Sequence, residues 1–329
     1  MSDIRVGVIG ATGAVGREML SLIQERRFPA REVRVFASER SAGTTIPFAG
    51  GDLIVEVPSE EVFGDLDLAL FSAGGRVSRA FARAASRAGC MVVDNSSAFR
   101  MEDDVPLVVP EINAAALDGH RNLVANPNCT TIVNALAVAP LHDAFRLRRM
   151  VVASYQAASG AGAAGLAELM GGTRGHLEGD ESPPEVFAAP LPFNVVPQIG
   201  AVGEDGGTDE EAKMGTETRK ILGVPDLEVV CTCVRVPVAR AHGVASTLWF
   251  ERPVDMKRAR AALDQASGIR WHDLPTPRAA SARDEVLVGR LRAVPFDERA
   301  LTLFAVGDQV RKGAALNALQ IAERLIADR

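Results

Sequence analysis

The sequence predicts an α/β protein of two domains. A mostly parallel sheet wound by helices is followed by an α+β region with a mixed, largely antiparallel sheet. Three observations carry this expectation. The chain has 329 residues, more than one hydrophobic core usually organises. Its first half alternates short apolar runs with helix-period segments, the pattern of a parallel sheet with right-handed crossovers. Its second half is rich in strand-like runs with few helices between them, which reads as a sheet able to expose one face.

Composition narrows the class. A net charge of -6 gives no general attraction to nucleic acid. No apolar run reaches membrane-spanning length. The chain enters a strand pattern within a few residues of Met1, so no signal peptide is expected and a cytoplasmic location is the default. The cysteines are Cys90, Cys129, Cys231 and Cys233, and their spacing fits neither a zinc site nor a Cys-x-x-Cys pair. No metal and no disulfide are expected. Cys231 and Cys233 share one face of a strand-like run, where packing is the ordinary role.

The first strand is Ile4 to Ile9, and Gly10-Ala11-Thr12-Gly13-Ala14-Val15-Gly16 follows it directly. A helix is expected from Val15 to Gln24. Strand, glycine turn and helix together form a Rossmann-type dinucleotide-binding pattern, with the diphosphate on the helix N-terminus. The spacing is G-x-x-G-x-x-G rather than G-x-G-x-x-G, so a plain strand-helix turn is the competing reading. Strand Val33–Ala37 ends in Ser38-Glu39-Arg40-Ser41. A guanidinium between two hydroxyls suits a 2′-phosphate, which favours NADP, whereas Glu39 keeps NAD open. Strands are expected at Thr44–Phe48, Leu53–Val57 and Asp67–Phe71, the last ending in Ser72-Ala73-Gly74-Gly75. A helix over Val77–Ala88 leads to strand Cys90–Val93. Asp94-Asn95-Ser96-Ser97-Ala98-Phe99-Arg100 follows, at the carboxyl end where open α/β sheets form pockets. Further strands are expected at Leu107–Val109 and Leu123–Ala125.

The next stretch is Asn126-Pro127-Asn128-Cys129-Thr130-Thr131, between that last strand and a helix expected to run to about His142. Pro127 turns the chain. Cys129 then falls at or just before the first helical turn, where unpaired N–H groups favour a negative charge and lower a thiol's affinity for its proton. A buried structural cysteine is the commoner role for the residue type. Its place in a strand-turn-helix raises the question of what else in the chain could serve a nucleophile there.

The second half opens with a strand over Met150–Ala158, followed by Ser159-Gly160-Ala161-Gly162 and a helix to about Gly171. Proline makes Ser182 to Pro197 extended. A helix over Glu210–Leu222 sets Glu210 and Lys213 on one face; a surface ion pair is the plain reading of that pair. Strands Glu228–Val238 and Gly243–Glu251 flank Ala239-Arg240-Ala241-His242, with Arg235 in the first of them. Further strands are expected at Val286–Leu291 and Leu301–Val306. An amphipathic helix over Arg311–Ala327 closes the chain and is expected to return to the first domain.

Taken together, GATGAVG (10–16), ASERSAG (37–43), DNSSAFR (94–100), NPNCTT (126–131), YQAASGAG (155–162), EEAK (210–213), RVPVARAH (235–242) and KGAALN (312–317) resemble the aspartate-β-semialdehyde dehydrogenase family over essentially the whole chain. The resemblance implies an oxidoreductase of lysine, threonine and methionine biosynthesis. It would be a homodimer that uses NADPH to convert β-aspartyl phosphate to aspartate semialdehyde and phosphate. By resemblance, Cys129 is the nucleophile that becomes an acyl-thioester, His242 its acid/base partner, and Gln156 the residue that positions the thioester. Arg235 would hold the substrate carboxylate, Glu210 its ammonium, and Arg100 and Lys213 its phosphate, with Asn128 also at the substrate. Gly10, Thr12, Gly13, Ala14, Val15, Ser38, Arg40, Ser41, Ser72, Gly74, Asn95, Ser159, Gly160 and Gln309 would hold NADP. Gln309 stands where the family typically has asparagine, and Thr130 where serine is common. The implied domains are 1–128 with helix 311–329 for NADP, and 129–310 for catalysis and dimerisation. Two alternatives stand beside this reading. N-acetylglutamyl-phosphate reductase has similar chemistry, but its substrate offers Glu210 no ammonium. A non-catalytic dinucleotide-binding paralogue would have no use for both Cys129 and His242.

Overall fold

The computed structural model describes residues 4–179 and 183–327. The chain divides into two compact units, residues 1–128 with 314–329, and residues 129–313.

The first unit is built on a seven-stranded sheet in the order β3-β4-β2-β1-β5-β6-β7. Its strands are β1 (Ile4–Ile9), β2 (Ala30–Phe36), β3 (Thr45–Phe48), β4 (Gly51–Glu56), β5 (Leu68–Phe71), β6 (Met91–Asp94) and β7 (Leu123–Ala125). All neighbours pair in parallel except β3 with β4, a hairpin at the edge. Near-continuous burial of β1, β5, β6 and β7 is what a sheet covered on both faces requires. Helices α1 (Ala14–Glu25) and α2 (Gly75–Arg87) follow β1 and β5, and a short helix α3 (Pro110–Asn113) follows the loop after β6. Strand order reverses on the two sides of β1, so its carboxyl end is the topological switch point where such sheets bind ligands.

Leu107–Val109, expected as a strand, makes only one parallel bridge, between Leu107 and Ala125. Pro106 and Pro110 bracket it and withhold ladder donors. The Val109 N–H goes instead to Asn113 Oδ1 at 2.9 Å.

The second unit is built on a six-stranded sheet in the order β11-β12-β13-β10-β8-β9. Helix α4 (Cys129–Phe145) comes first, then β8 (Leu147–Gln156), α5 (Gly162–Glu178), α6 (Asp209–Leu222), β9 (Glu228–Arg235) and β10 (His242–Phe250). Helix α7 (Met256–Gln265), β11 (Ile269–Trp271), short helix α8 (Pro277–Ala280), β12 (Val286–Val294) and β13 (Asp297–Gly307) complete it. The sheet is mixed: β12-β13-β10-β8 is antiparallel, while β9 and β11 add in parallel at the two edges. Helix α4 is apolar all round and buried along nearly its full length. One sheet face stays open and carries exposed Val151, Tyr155 and Val230.

Several elements differ from the sequence expectation. Helix α5 runs past Gly171 to Glu178 and ends on left-handed Gly179. The Gly171-Gly172 pair reads as a break, but its missing side chains admit a neighbour, since a Cβ on Gly172 would lie 3.1 Å from Pro192 Cγ. Strand β9 stops at Arg235, before Pro237, and β8 separates it from β10. Helix α7 and strand β11 were not expected. Asp255 caps α7 through the N–H groups of Lys257 and Arg258. Residues 183–197 form no helix, as their prolines require; Ser182 lies outside the described residues.

The closing segment begins with a π-helical turn over Arg311–Ala315, before helix α9 (Leu316–Ala327) packs into the first unit's core through Leu316, Leu319, Ile321 and Leu325. Wholly buried Asn317 fixes the register: Nδ2 donates to Val108 O at 2.9 Å and to Asn126 Oδ1 at 2.7 Å. Asn317→Ala removes the donor from both buried acceptors and is expected to cost about 2–4 kcal/mol, from the penalty for unpaired buried groups. Chemical denaturation measures it, and a loss below about 0.5 kcal/mol, the size of an ordinary surface change, would contradict this role for Asn317.

Candidate active site

Within the second unit, side chains from β9 and β10 meet at the loop after β8, and α6 reaches the end of β8 itself. Cys129 is the first residue of α4, where unpaired helix N–H groups favour negative charge. Arg235 lies at the carboxyl end of β9 and His242 at the start of β10. Ala157, just past β8, ties these two together. Its N–H donates to His242 Nδ1 at 3.0 Å, and its carbonyl accepts from Arg235 Nη1 at 2.6 Å. Gly160 fits directly against both. A Cβ there would stand 2.7 Å from Arg235 Nη1, 3.0 Å from His242 Cε1 and 3.1 Å from His242 Nε2.

The electrostatics follow from burial. His242 is fully enclosed, and desolvation, assisted by the Arg235 charge, pushes its pKa down to about 3. The ring is therefore neutral at ordinary pH. Because Nδ1 accepts a hydrogen bond, the proton sits on Nε2. That atom is buried and has no hydrogen-bond partner among the described residues. Burial also pulls the Arg235 guanidinium down, and negative charge on Cys129 and Glu210 opposes this. Cys129 is thus an electrostatic neighbour of Arg235. The Arg235 guanidinium also lies 5.6 Å from the centre of the Phe187 ring.

Helix α6 brings the acidic group. Thr208 and Glu211 form a capping box, and Glu211 Oε1 also accepts the Cys233 N–H at 2.9 Å, which pins the helix start to β9. Glu210 is held between two of the other expected residues: Gln156 Nε2 donates to Oε1 at 3.3 Å, and Lys213 Nζ lies 3.4 Å from Oε2. Gln156 also reaches Ser154 Oγ at 3.2 Å. Cys231 and Cys233, with sulfurs 3.6 Å apart, lie on the same strand as Arg235. The hydrogen bond between them, and then burial, push the Cys231 thiol well up, so it stays protonated.

A third set surrounds these residues. Gln309 Oε1 accepts the Ala241 N–H at 2.7 Å, and its Nε2 donates to Ser159 Oγ at 2.5 Å. Ser159 in turn donates to Ala239 O at 2.5 Å. Gly313 approaches Cys129 so closely that a Cβ would lie 3.0 Å from the cysteine Cβ. The double use of Ala157 and the fit of Gly313 were not foreseen. Backbone groups carry no side-chain signature, and the glycine stood in a segment read as plain helix.

The first unit holds the other expected residues. Gly10, Thr12, Gly13, Ala14 and Val15 form the β1–α1 turn, and no side chain caps the N-terminus of α1 at Gly13. That leaves first-turn N–H groups for an anion. Gly10 and Gly16 are needed by the fold itself: a Cβ on either would come within 2.6 Å of a backbone oxygen, of Ser72 and of Gly10 respectively. Ser72 and left-handed Gly74 follow β5, and a Cβ on Gly74 would meet nothing within 4 Å. Ser38, Arg40 and Ser41 sit at a 3₁₀ turn after β2, with Arg40 exposed. Asn95 follows β6, and both its amide atoms are buried with no partner among the described residues. An uncapped helix start, an open glycine corner, an unpaired amide and an exposed arginine at the strand ends suit a phosphorylated dinucleotide. Arg100 is buried and donates to Asn126 O at 2.9 Å and Asn95 O at 2.7 Å. Asn128 is buried at the end of this unit.

Residues 5–120 match the family described as semialdehyde dehydrogenase, NAD binding domain, and residues 138–312 the semialdehyde dehydrogenase dimerisation domain. An aspartate-semialdehyde dehydrogenase of Synechocystis sp. is 46% identical over 331 residues, covering 99% of this chain and 98% of the relative. The crystal structure of aspartate semialdehyde dehydrogenase II from Vibrio cholerae, complexed with ASA, superposes with a TM-score of 0.97 at 43% identity, covering 100% of this chain and 99% of that one. A probable aspartate-semialdehyde dehydrogenase from Pseudomonas aeruginosa gives a TM-score of 0.94 at 34% identity over 99% of both chains. No helix among the described residues is long and apolar enough to cross a membrane.

The depressed His242 pKa makes a prediction about stability. Below about pH 6.5 an unfolded histidine takes a proton, which native His242 refuses until about pH 3, so native stability falls as pH falls through that window. Between pH 6 and 4.5 the wild type should lose about 2 kcal/mol more than His242→Asn, from the linkage relation. Urea unfolding at the two pH values checks this, and equal losses would contradict a neutral buried ring.

Proposed function

This chain belongs to the aspartate-semialdehyde dehydrogenase family, and from that premise we propose that it reduces β-aspartyl phosphate to aspartate semialdehyde, with NADPH as reductant and release of phosphate. The observation that carries the residue assignment is the wall of the second unit where Arg235, His242 and Gly160 meet, with Cys129 as the electrostatic neighbour of Arg235.

An acyl phosphate has a good leaving group, but direct displacement by hydride is difficult. A sulfur nucleophile splits the step in two. Cys129 Sγ attacks the acyl carbon, the carbon–oxygen bond to phosphate breaks, and an acyl-thioester forms on the chain. When bound, NADPH supplies the hydride that reduces that acyl group. The tetrahedral oxyanion then collapses to aldehyde and frees the sulfur.

The residues support this division of labour. The helix N-terminus at Cys129 and the Arg235 charge favour thiolate. His242, neutral with its proton on Nε2, is suited to donate to the developing oxyanion. The other half of its expected role, taking the thiol proton, needs a bare Nε2, and the Ala157 hydrogen bond opposes that in the resting state. Arg235 would bind the substrate carboxylate and Glu210 its ammonium, with Gln156 orienting both Glu210 and the acyl group. Lys213, beside Glu210, would meet the phosphate, and Arg100 is assigned the same group by resemblance. In the first unit the β1–α1 turn, Ser38 to Ser41, Ser72, Gly74 and Asn95 would hold NADP. Ser159, Gly160 and Gln309 of the second unit are assigned to the same cofactor. The open sheet face with Val151, Tyr155 and Val230 is the surface for a homodimer. A cytoplasmic location accords with a small-molecule biosynthetic role.

Glu210 distinguishes this substrate from an N-acetylated acyl phosphate, which has no ammonium to meet a buried carboxylate. Turnover on the two acyl phosphates tests the choice, and preference for the acetylated one would overturn it. Cys129→Ala is expected to abolish phosphate-dependent NADP reduction by aspartate semialdehyde while leaving NADP affinity, read by calorimetry, nearly intact. Residual turnover near wild type would rule out the thioester route. His242→Asn should lower turnover by roughly 100-fold, the usual scale of proton-transfer catalysis, and an unchanged rate would remove it from the reaction.

A further inference from the structure

We infer that Gln309 is a positioning residue for His242, holding the imidazole in place through the strained peptide at Ala241; this rests on the reading of His242 as the proton donor. Ala241 directly precedes His242 and has a φ of 74°, in the left-handed region that alanine avoids. A residue stays there only when its surroundings over-determine it. Gln309 supplies the determining contact, since its Oε1 accepts the Ala241 N–H at 2.7 Å in a buried position.

The same side chain closes a ring. Gln309 Nε2 donates to Ser159 Oγ, and Ser159 donates to Ala239 O, so both ends of the Ala239-Arg240-Ala241 turn are clamped by one amide and one hydroxyl. The neighbour of Gln309 is as firmly fixed. Asp308 is wholly buried, and its Oδ2 accepts from Arg240 Nε at 2.5 Å and from the Ala282 N–H at 2.6 Å. Its Oδ1 accepts the N–H groups of Val310 and Arg311, each at 3.0 Å. Asp308 therefore anchors the segment, Arg240 joins the turn to it, and Gln309 sets the one backbone torsion that aims His242. Both polar ends of the Gln309 amide are engaged by this ring. This positioning role is in addition to the cofactor role assigned to Gln309 above.

The test uses Gln309→Met, which keeps length and removes both hydrogen bonds, in the full-length enzyme. Turnover should fall about 10- to 100-fold, the scale of a small misplacement of a reacting group. Turnover is read at saturating NADP, so that a change in cofactor affinity is scored separately. The double variant Gln309→Met/Ala241→Gly should recover most of the lost turnover, since glycine adopts the left-handed conformation without help. Turnover unchanged in Gln309→Met, a loss confined to NADP affinity, or a loss of turnover that glycine does not restore would each overturn the inference. His242→Asn assayed in parallel separates the two readings. If it retains full turnover, the assignment of His242 fails; if it is inactive while Gln309→Met is normal, only the role of Gln309 fails.

Discussion

Ala157 gives its N–H to His242 Nδ1 and its carbonyl to Arg235 Nη1, so one residue's backbone holds both basic side chains of this wall of the candidate site. Both groups are buried, and a buried cation or imidazole left unpaired would cost several kcal/mol. The backbone meets that demand without adding a charge. It also chooses the imidazole tautomer, because an N–H aimed at Nδ1 leaves the proton on Nε2. The chemistry open to His242 is set by this bond as much as by the imidazole itself.

The rest of the second unit preserves that arrangement. Helix α4 starts at Cys129, and the π-helical turn brings Gly313 against the cysteine with no room for a side chain. Glu211 spends its two carboxylate oxygens on the Thr208 and Cys233 N–H groups, which fixes the helix carrying Glu210 and Lys213 against the strand carrying Arg235. Such bonding of the supporting groups is how a site holds its reacting atoms within the tolerance that proximity catalysis needs. The first unit is organised differently. Its glycines at the switch point are partly a packing requirement, and the groups that suit a dinucleotide are the uncapped start of α1, the open corner at Gly74 and the unpaired amide of Asn95.

The fold was legible where the sequence is periodic and punctuated. The strand-glycine-helix opening, the apolar run into Asn126-Pro127-Asn128-Cys129 and the amphipathic closing helix each announce themselves through burial pattern and turn residues. The strand expected at Leu107–Val109 failed because apolar character cannot replace the donors that Pro106 and Pro110 remove. Helix α5 ran on because tertiary packing of Pro192 on Gly172 outweighed glycine's poor helix propensity. In the candidate site the side chains with chemistry of their own were readable: cysteine at a helix start, an acid and a lysine one turn apart, and arginine and histidine flanking a turn. What holds them was not readable. Ala157 acts through its backbone, and Ala241 has no residue-type preference for the conformation it adopts. Gln309 reaches its partners only after the chain has folded across 68 and 150 residues of sequence.

In the proposed reaction the sulfur of Cys129 carries the acyl group. The direct measurement is peptide mapping by mass spectrometry after the enzyme is mixed with aspartate semialdehyde and NADP in phosphate-free buffer and quenched in acid. An acyl adduct is expected on the peptide containing Cys129, formed only with NADP and discharged when phosphate is added before the quench. An adduct on Cys90, Cys231 or Cys233 instead, or none on Cys129 in an enzyme that turns over, would contradict it.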